Sequence, residues 1–284
     1  MLKPCSVLLQ YLLPRTGLTA LAGKFAHLRA GKFTTAVIRW FVKRYQVNML
    51  EAANPDITSY ATFNEFFTRA LKPGIRPLAQ AAQVCPVDGA ISQVGRIEQN
   101  QIFQAKGHQY STRALLGGNA EMAQTYENGQ FATIYLSPRD YHRIHMPCDG
   151  QLLSMTYVPG ELFSVNPVTA QHIPGLFARN ERVICEFENT DGKFALVLVG
   201  ATIVGSMATV WHGLINPPRP GSIRTWDYRK YKRQLKQGDE MGRFLLGSTV
   251  VLLYPAEFQL EFQPDWQPAR PVRLGEAMAR KQPS

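Results

Sequence analysis

The chain has 284 residues and is 45% hydrophobic, enough for one large domain or two ordinary ones around a substantial core and too apolar for wholesale disorder. Its 31 Lys and Arg against 21 Asp and Glu give a formal charge of +10, yet residues 1–50 hold eight of those basic side chains (Lys3, Arg15, Lys24, Arg29, Lys32, Arg39, Lys43 and Arg44) and no acidic one. The other 234 residues carry 23 basic and 21 acidic groups, so a nearly neutral protein bears a cationic arm suited to an anionic surface, membrane or nucleic acid.

Within the arm, the apolar run 7–13 contains Gln10 and is closed by Pro14 and Arg15. It is far short of the roughly 20 residues a spanning helix needs. Lys3 and Ala20-Leu21-Ala22 have the outline of a secretory signal, but the apolar centre is minimal and Arg15 sits where such a segment stays uncharged. Transit peptides are basic and Ser-rich, whereas Ser6 is the only serine before Ser59. Leu18, Leu21, Phe25 and Leu28 recur at helical spacing, as do Val37, Phe41 and Tyr45 beside Ile38 and Val42, while Lys24, Arg39 and Lys43 fall off these stripes. Two amphipathic helices separated by Gly31 are expected. With Trp40 and Phe41 they suit a membrane interface, where each basic side chain contributes about 1 kcal/mol; packing on the rest of the protein is the competing use.

Asn54-Pro55-Asp56 ends the arm, and residues 63–71 read as a short helix stopped by Pro73-Gly74. Short β-like runs follow at 90–97, 131–136, 151–158, 183–187, 194–210 and 249–254, with Gly, Pro, Asn or Asp in nearly every gap. The uncharged stretch 194–211 approaches transmembrane length, but its Val, Ile and Thr content and the breaks at Gly200 and Gly205 favour two buried strands. The expected fold is α+β, a helical arm over residues 1–53 followed by a compact β-rich domain over 54–284. Cys5, Cys85, Cys148 and Cys185 lie far apart with no Cys-x-x-Cys pair and read as free thiols of a reducing compartment. Residues 224–243 are locally basic, with Trp226, Tyr228 and Tyr231 interleaved, as in a nucleic-acid surface or a solvated loop beside an anionic substrate.

Two of the six histidines, His142 and His145, stand three apart. A metal site would add Cys148 or Asp149, but the His-Glu-x-x-His pattern is absent and Pro147 opposes a helix there. Ser248, entering an apolar strand after Gly247, could be a nucleophile, with a histidine to take its proton and Asp88 in Val87-Asp88-Gly89 to orient the imidazole. Gly-x-Ser-x-Gly is absent, which argues against an ordinary α/β-hydrolase elbow.

Five segments in order carry a family resemblance: 67–77 (Phe-Thr-Arg-Ala-Leu-Lys-Pro-Gly-Ile-Arg-Pro), 86–89 (Pro-Val-Asp-Gly), 136–147, 158–166 (Val-Pro-Gly-Glu-Leu-Phe-Ser-Val-Asn) and 242–249, which contains Gly247-Ser248-Thr249. Over nearly the whole chain the sequence resembles the phosphatidylserine decarboxylases of the bacterial, membrane-associated, pyruvoyl-dependent type. The resemblance implies self-cleavage at Gly247-Ser248 into a β chain, 1–247, and an α chain, 248–284. Ser248 Oγ attacks the Gly247 carbonyl to give an ester; elimination and hydrolysis then leave a pyruvoyl group and ammonia. By the same resemblance Asp88, His145 and Ser248 form the cleavage relay, with His145 as general base, and His142 returns a proton to the substrate Cα. The pyruvoyl cofactor, with no metal, forms a Schiff base with phosphatidylserine and releases CO2, giving phosphatidylethanolamine. The implied setting is peripheral, on the cytoplasmic face of the bacterial cell membrane. The partners implied are anionic phospholipid and a second αβ unit, without nucleic acid. The competing readings are an uncleaved Ser-His-Asp hydrolase acting on lipids and a non-enzymatic membrane- or nucleic-acid-binding module.

Overall fold

A computed structural model describes residues 4–105, 107–202, 206–216, 219, 221–245 and 248–282. Three helices open the chain: α1 (Cys5–Leu12), α2 (Arg15–Ala26) and α3 (Lys32–Tyr45). The expected pair is α2 and α3; α1, too short and too apolar to show a period, is an addition. Gly31, at φ 53°, makes the break before α3, a left-handed conformation that glycine adopts without strain. Among the described residues no helix is long and apolar enough to cross a membrane.

The two apolar stripes meet different fates. Ile38 and Phe41 of α3 are buried with Phe63, Phe66 and Phe67 of α4 (Phe63–Phe67), Ala26 and Val47, in a cluster that crosses the 53/54 boundary. Phe41 makes edge contacts with all three α4 rings, at centroid distances of 5.0 to 6.1 Å. The α2 stripe stays outside: Leu18, Leu21, Phe25 and Leu28 are all exposed, as are Phe33 and Trp40 of α3. The packing use thus claims one helix, and the other keeps a solvent-facing apolar surface. Helix α4 ends at Phe67 rather than at residue 71 because the chain then pairs with the end of the arm, through a bridge between Ala52 and Leu71 and the bond from Lys72 N to Glu51 O.

Behind the arm lies a nine-stranded antiparallel sheet. Its order is Arg224–Asp227, Gly150–Val158, Arg182–Asn189, Gly192–Val199, Ser248–Tyr254, Gln130–Leu136, Gly89–Arg96 and Pro271–Val272, with Gln234–Leu235 also pairing to Gly150–Val158. The expected strands are all present, the 194–210 run resolves into Gly192–Val199 and Met207–Thr209, and the basic 224–243 stretch carries strands. Both faces of the sheet are covered. Along Ser248–Tyr254, Val250, Leu252 and Tyr254 join one apolar cluster while Val251 and Leu253 join the other, so the run is uniformly buried. A four-stranded sheet, Gly213–Leu214, Met207–Thr209, Glu240–Phe244 and Arg143–His145, supplies Met207, Met241, Phe244 and Ile144 to the first cluster.

The split between packed and exposed stripes has a measurable consequence. Phe41→Ala should cost about 3 kcal/mol in urea melts, as buried aromatic truncations do. Leu21→Ala, at a position 67% exposed, should stay within about 0.5 kcal/mol of wild type.

Candidate active site

Strand register fixes the place of Ser248. It opposes Leu136 at the end of Gln130–Leu136, and Ala90 opposes Tyr135 on the other edge of that strand, so Ser248 and the Asp88-Gly89 turn lie at one level of the sheet, two strands apart. Glycine at 89 is required by close approach: a Cβ there would strike the Tyr135 carbonyl oxygen. Alternation puts the Ser248 side chain on the face of Val250 and Leu252, which packs against Ile144 and Phe244. Ser248 is fully buried, and its hydroxyl has no hydrogen-bond partner among the described residues. Gly247, the expected acyl side of the cleavage, lies outside the described residues.

Two backbone joins bring the histidine segment to the same place. Arg143–His145 pairs with Glu240–Phe244, with Glu240 opposite His145, and Phe244 N donates to His142 O at 3.0 Å. On the other side His145 N donates to Pro86 O at 2.9 Å, two residues before Asp88. The His145 ring is held at both nitrogens, Nδ1 against Gly238 O at 2.8 Å and Nε2 against the Tyr141 hydroxyl at 3.1 Å. A carbonyl only accepts, so Nδ1 carries the proton and Nε2 accepts from Tyr141. Burial, more than any neighbour, holds this imidazole below its ordinary range; the Gly238 carbonyl, Glu240 and Asp88 pull the other way. His142 is fully buried against Phe67, ring centroids 4.2 Å apart. Its Nδ1 donates to Asp140 O at 2.8 Å, and Nε2 has no partner among the described residues. Burial drives it down to about 3, with the Arg69 charge acting in the same direction against the Asp140 carbonyl.

Asp88 is bound elsewhere. Its carboxylate takes Arg76 Nε at 3.0 and 3.2 Å, Arg76 Nη2 at 2.6 Å and Leu274 N at 2.9 Å. Arg76 also reaches Glu51, at the end of the arm, at 2.5 Å. Asp88, His145 and Ser248 therefore gather in one region without hydrogen-bonding one another: the aspartate holds an arginine, the histidine a carbonyl and a phenol, and the serine nothing. Asp88, Asp140 and Tyr141 line a cavity of about 810 Å³. Among the described residues no group of three or more His, Cys, Asp or Glu side chains could hold a metal, and Asp149 instead pairs with Lys236 at 2.8 Å. Cys85, Cys148 and Cys185 are free and buried.

The sequence was compared with known proteins. Residues 63–280 match the family described as phosphatidylserine decarboxylase, and residues 5–46 match a family described as PSD. The chain belongs to the phosphatidylserine decarboxylase family. The phosphatidylserine decarboxylase proenzyme of Methylobacillus flagellatus is 77% identical over 278 residues, 98% of this chain and 99% of its own. That of Acidovorax ebreus is 71% identical over 97% of both chains, and that of Dechloromonas aromatica 68% over 96% of both.

In this member of the decarboxylase family, sequence reasoning names Asp88, His142, His145 and Ser248 but gives no role to the groups that hold them. Gly238 acts through a backbone carbonyl, which leaves no side-chain signature. Tyr141 and Arg76 stand inside the segments that carry the resemblance, but only the fold shows what they touch. The burial of His142 has a sign that can be checked. Its folded value, about 3, lies below the roughly 6.5 of an exposed histidine, so between these values the unfolded chain binds the extra proton and stability falls as pH falls. Urea melts at about pH 7 and pH 4.5 should show this loss, and His142→Gln should shrink it.

Proposed function

We propose that this chain is a phosphatidylserine decarboxylase made as a precursor, which cuts itself between Gly247 and Ser248 and converts phosphatidylserine to phosphatidylethanolamine and CO2. The observation that carries the reading is the buried Ser248 hydroxyl, without a hydrogen-bond partner among the described residues at the head of a central strand. A bonded hydroxyl would have to break that bond before attacking; this one does not. The same position fits a pyruvoyl group derived from Ser248, which supplies the electron sink that decarboxylation needs.

For self-cleavage, Ser248 Oγ attacks the Gly247 carbonyl carbon, the bond to the Ser248 nitrogen breaks, and the serine proton passes through His145 to that nitrogen. His145 performs this role at Nε2 once Tyr141 yields the position, while the Gly238 carbonyl keeps the proton on Nδ1. Asp88 acts as a nearby negative charge that favours the imidazolium, its own position set by Arg76. In decarboxylation, the unpartnered Nε2 of His142 takes a proton that the substrate ammonium must shed and returns it to Cα. A histidine neutral at pH 7 fits that sequence, because it begins by accepting.

Residues 1–53 dock on anionic lipid at the cytoplasmic face of the bacterial cell membrane. Supporting this are the exposed Leu12, Leu21, Phe25, Phe33 and Trp40 beside the exposed Lys24, Lys32, Arg39 and Lys43. Residues 54–284 form the catalytic domain, cleaved into β and α chains that remain together, and two such units form a dimer.

Intact mass tests the core of this reading. Wild-type protein should give two chains and no 31.9 kDa species, whereas a hydrolase using the same three residues would stay whole. Ser248→Ala should remain an intact, inactive precursor. His145→Ala should block cleavage; His142→Ala should cleave yet lose on the order of 100-fold or more in decarboxylation. Cleavage rates should fall on the acid side only below the ordinary histidine value of about 6.5, since the burial of His145 keeps it neutral above that. A cleavage limb centred above that value would contradict the assignment.

A further inference from the structure

The cavity beside the site carries four arginines, and three have a carboxylate. Arg76 grips Asp88 and Glu51, Arg273 lies 3.6 Å from Glu51, and Arg139 lies 3.9 Å from Asp140. Arg69 has none among the described residues. It is 5% exposed, yet among the described residues Nε and Nη1 find no acceptor, and the one hydrogen bond its guanidinium makes is a long one, from Nη2 to the Arg139 carbonyl at 3.4 Å. The face of Phe66 lies 5.3 Å away, and Tyr60, Asp88, Glu51 and Asp140 act on the guanidinium through space without pairing with it. Contrast Arg182, 3% exposed, whose three nitrogens donate to the carbonyls of Leu115, Asn180 and Ala114 at 2.6 to 2.9 Å. Arg182 is a satisfied structural arginine; Arg69 is a buried cation with donors to spare, a costly state that an incoming anion relieves.

We propose that Arg69 binds the phosphodiester of the phospholipid head group. This rests on the decarboxylase reading and deepens it. The substrate offers two anions, and the reaction distinguishes them. A guanidinium on the carboxylate would stabilise the group that must leave as neutral CO2, opposing the chemistry, whereas the phosphodiester keeps its charge throughout and can be gripped without penalty to the barrier. Head-group length agrees. One methylene and one oxygen separate Cα from phosphorus, so the phosphate anchor has to lie beside the group that protonates Cα. Arg69 is close enough to His142 for its charge to be felt there, and the ring of Phe67, two residues earlier in the chain, lies 4.2 Å from that imidazole.

The test uses the processed wild-type enzyme and its Arg69→Ala and Arg69→Lys variants, with α-chain formation checked on gels. Glycerophosphoethanolamine, which has the phosphodiester and no carboxylate, serves as competitive inhibitor, and ethanolamine as the control lacking phosphate. Arg69→Ala should weaken glycerophosphoethanolamine by roughly 30-fold and Arg69→Lys by about 10-fold, with ethanolamine unchanged. For phosphatidylserine in mixed micelles KM should rise while kcat stays within about threefold, the mark of binding shared by ground and transition states. If Arg69→Ala does not fold or mature, Arg69→Lys decides. Unchanged inhibition by glycerophosphoethanolamine, or equal loss for ethanolamine, overturns the proposal. Inorganic phosphate competing as strongly, and losing affinity in the same variants, would make this a free-phosphate site and overturn the head-group assignment. Absence of decarboxylation in the wild type would instead remove the functional reading on which it stands.

Discussion

The strand that begins at Ser248 is hydrogen-bonded on both edges, to Gln130–Leu136 on one side and Gly192–Val199 on the other, and all seven of its residues are buried. Its neighbours settle where each remaining part can stand. The strand at 130–136 carries the Asp88-Gly89 turn on its far edge, and the cluster beneath receives the small sheet that bears His145. A buried hydroxyl without a partner costs about 1–3 kcal/mol, a sizeable share of a domain's 5–15 kcal/mol. Two ladders make the position rigid enough to bear that.

Charge is handled just as locally. Arg76 joins the carboxylate proposed for the relay to Glu51, where the arm ends, and the aromatic cluster that anchors α3 includes Phe67, whose ring lies on His142. A second tie runs from the first helices to residues 161–164, next in the chain to Val165, which lines the cavity. Arg15 pairs with Glu161 at 2.6 Å and lies 3.7 Å over Phe163, while Gln10 accepts from Ser164 N. The arm is therefore joined to the body through both its ends, Val7, Gln10 and Arg15 at the start and Glu51 at the close, while the α2 apolar face stays open.

Much of this was legible in the sequence, and for definite reasons. Runs such as 131–136 and 249–254 announce themselves because β-branched and aromatic residues fill them between turn residues. Gly31 marks the break between two helices because their stripes restart after it. What stays hidden is whatever depends on partners distant in the chain. Gln83–Val84 and Pro271–Val272 are too short to show a period and exist only because longer strands accept them. The early stop of α4 comes from pairing with residues 51–52. Which amphipathic helix would pack and which would stay exposed depends on a partner distant in the chain: the three α4 phenylalanines surround Phe41 of α3, while α2 gives that cluster Ala26 and leaves its larger apolar side chains outside. Likewise the motif positions of Asp88 and His145 say nothing of Arg76, Gly238 or Tyr141 at their sides.

Burial of Ser248 bears on the chemical form of the new chain end. Simple hydrolysis at 247/248 would leave an ammonium at the head of a dry, central strand, with the several kcal/mol cost of an unpaired buried ion. In the maturation proposed above, expelling that nitrogen as ammonia leaves an uncharged terminus in its place. The proposed step that creates the reactive carbonyl would thus also make the cut tolerable to the fold, letting the strand keep its seat between its two neighbours after the chain is broken.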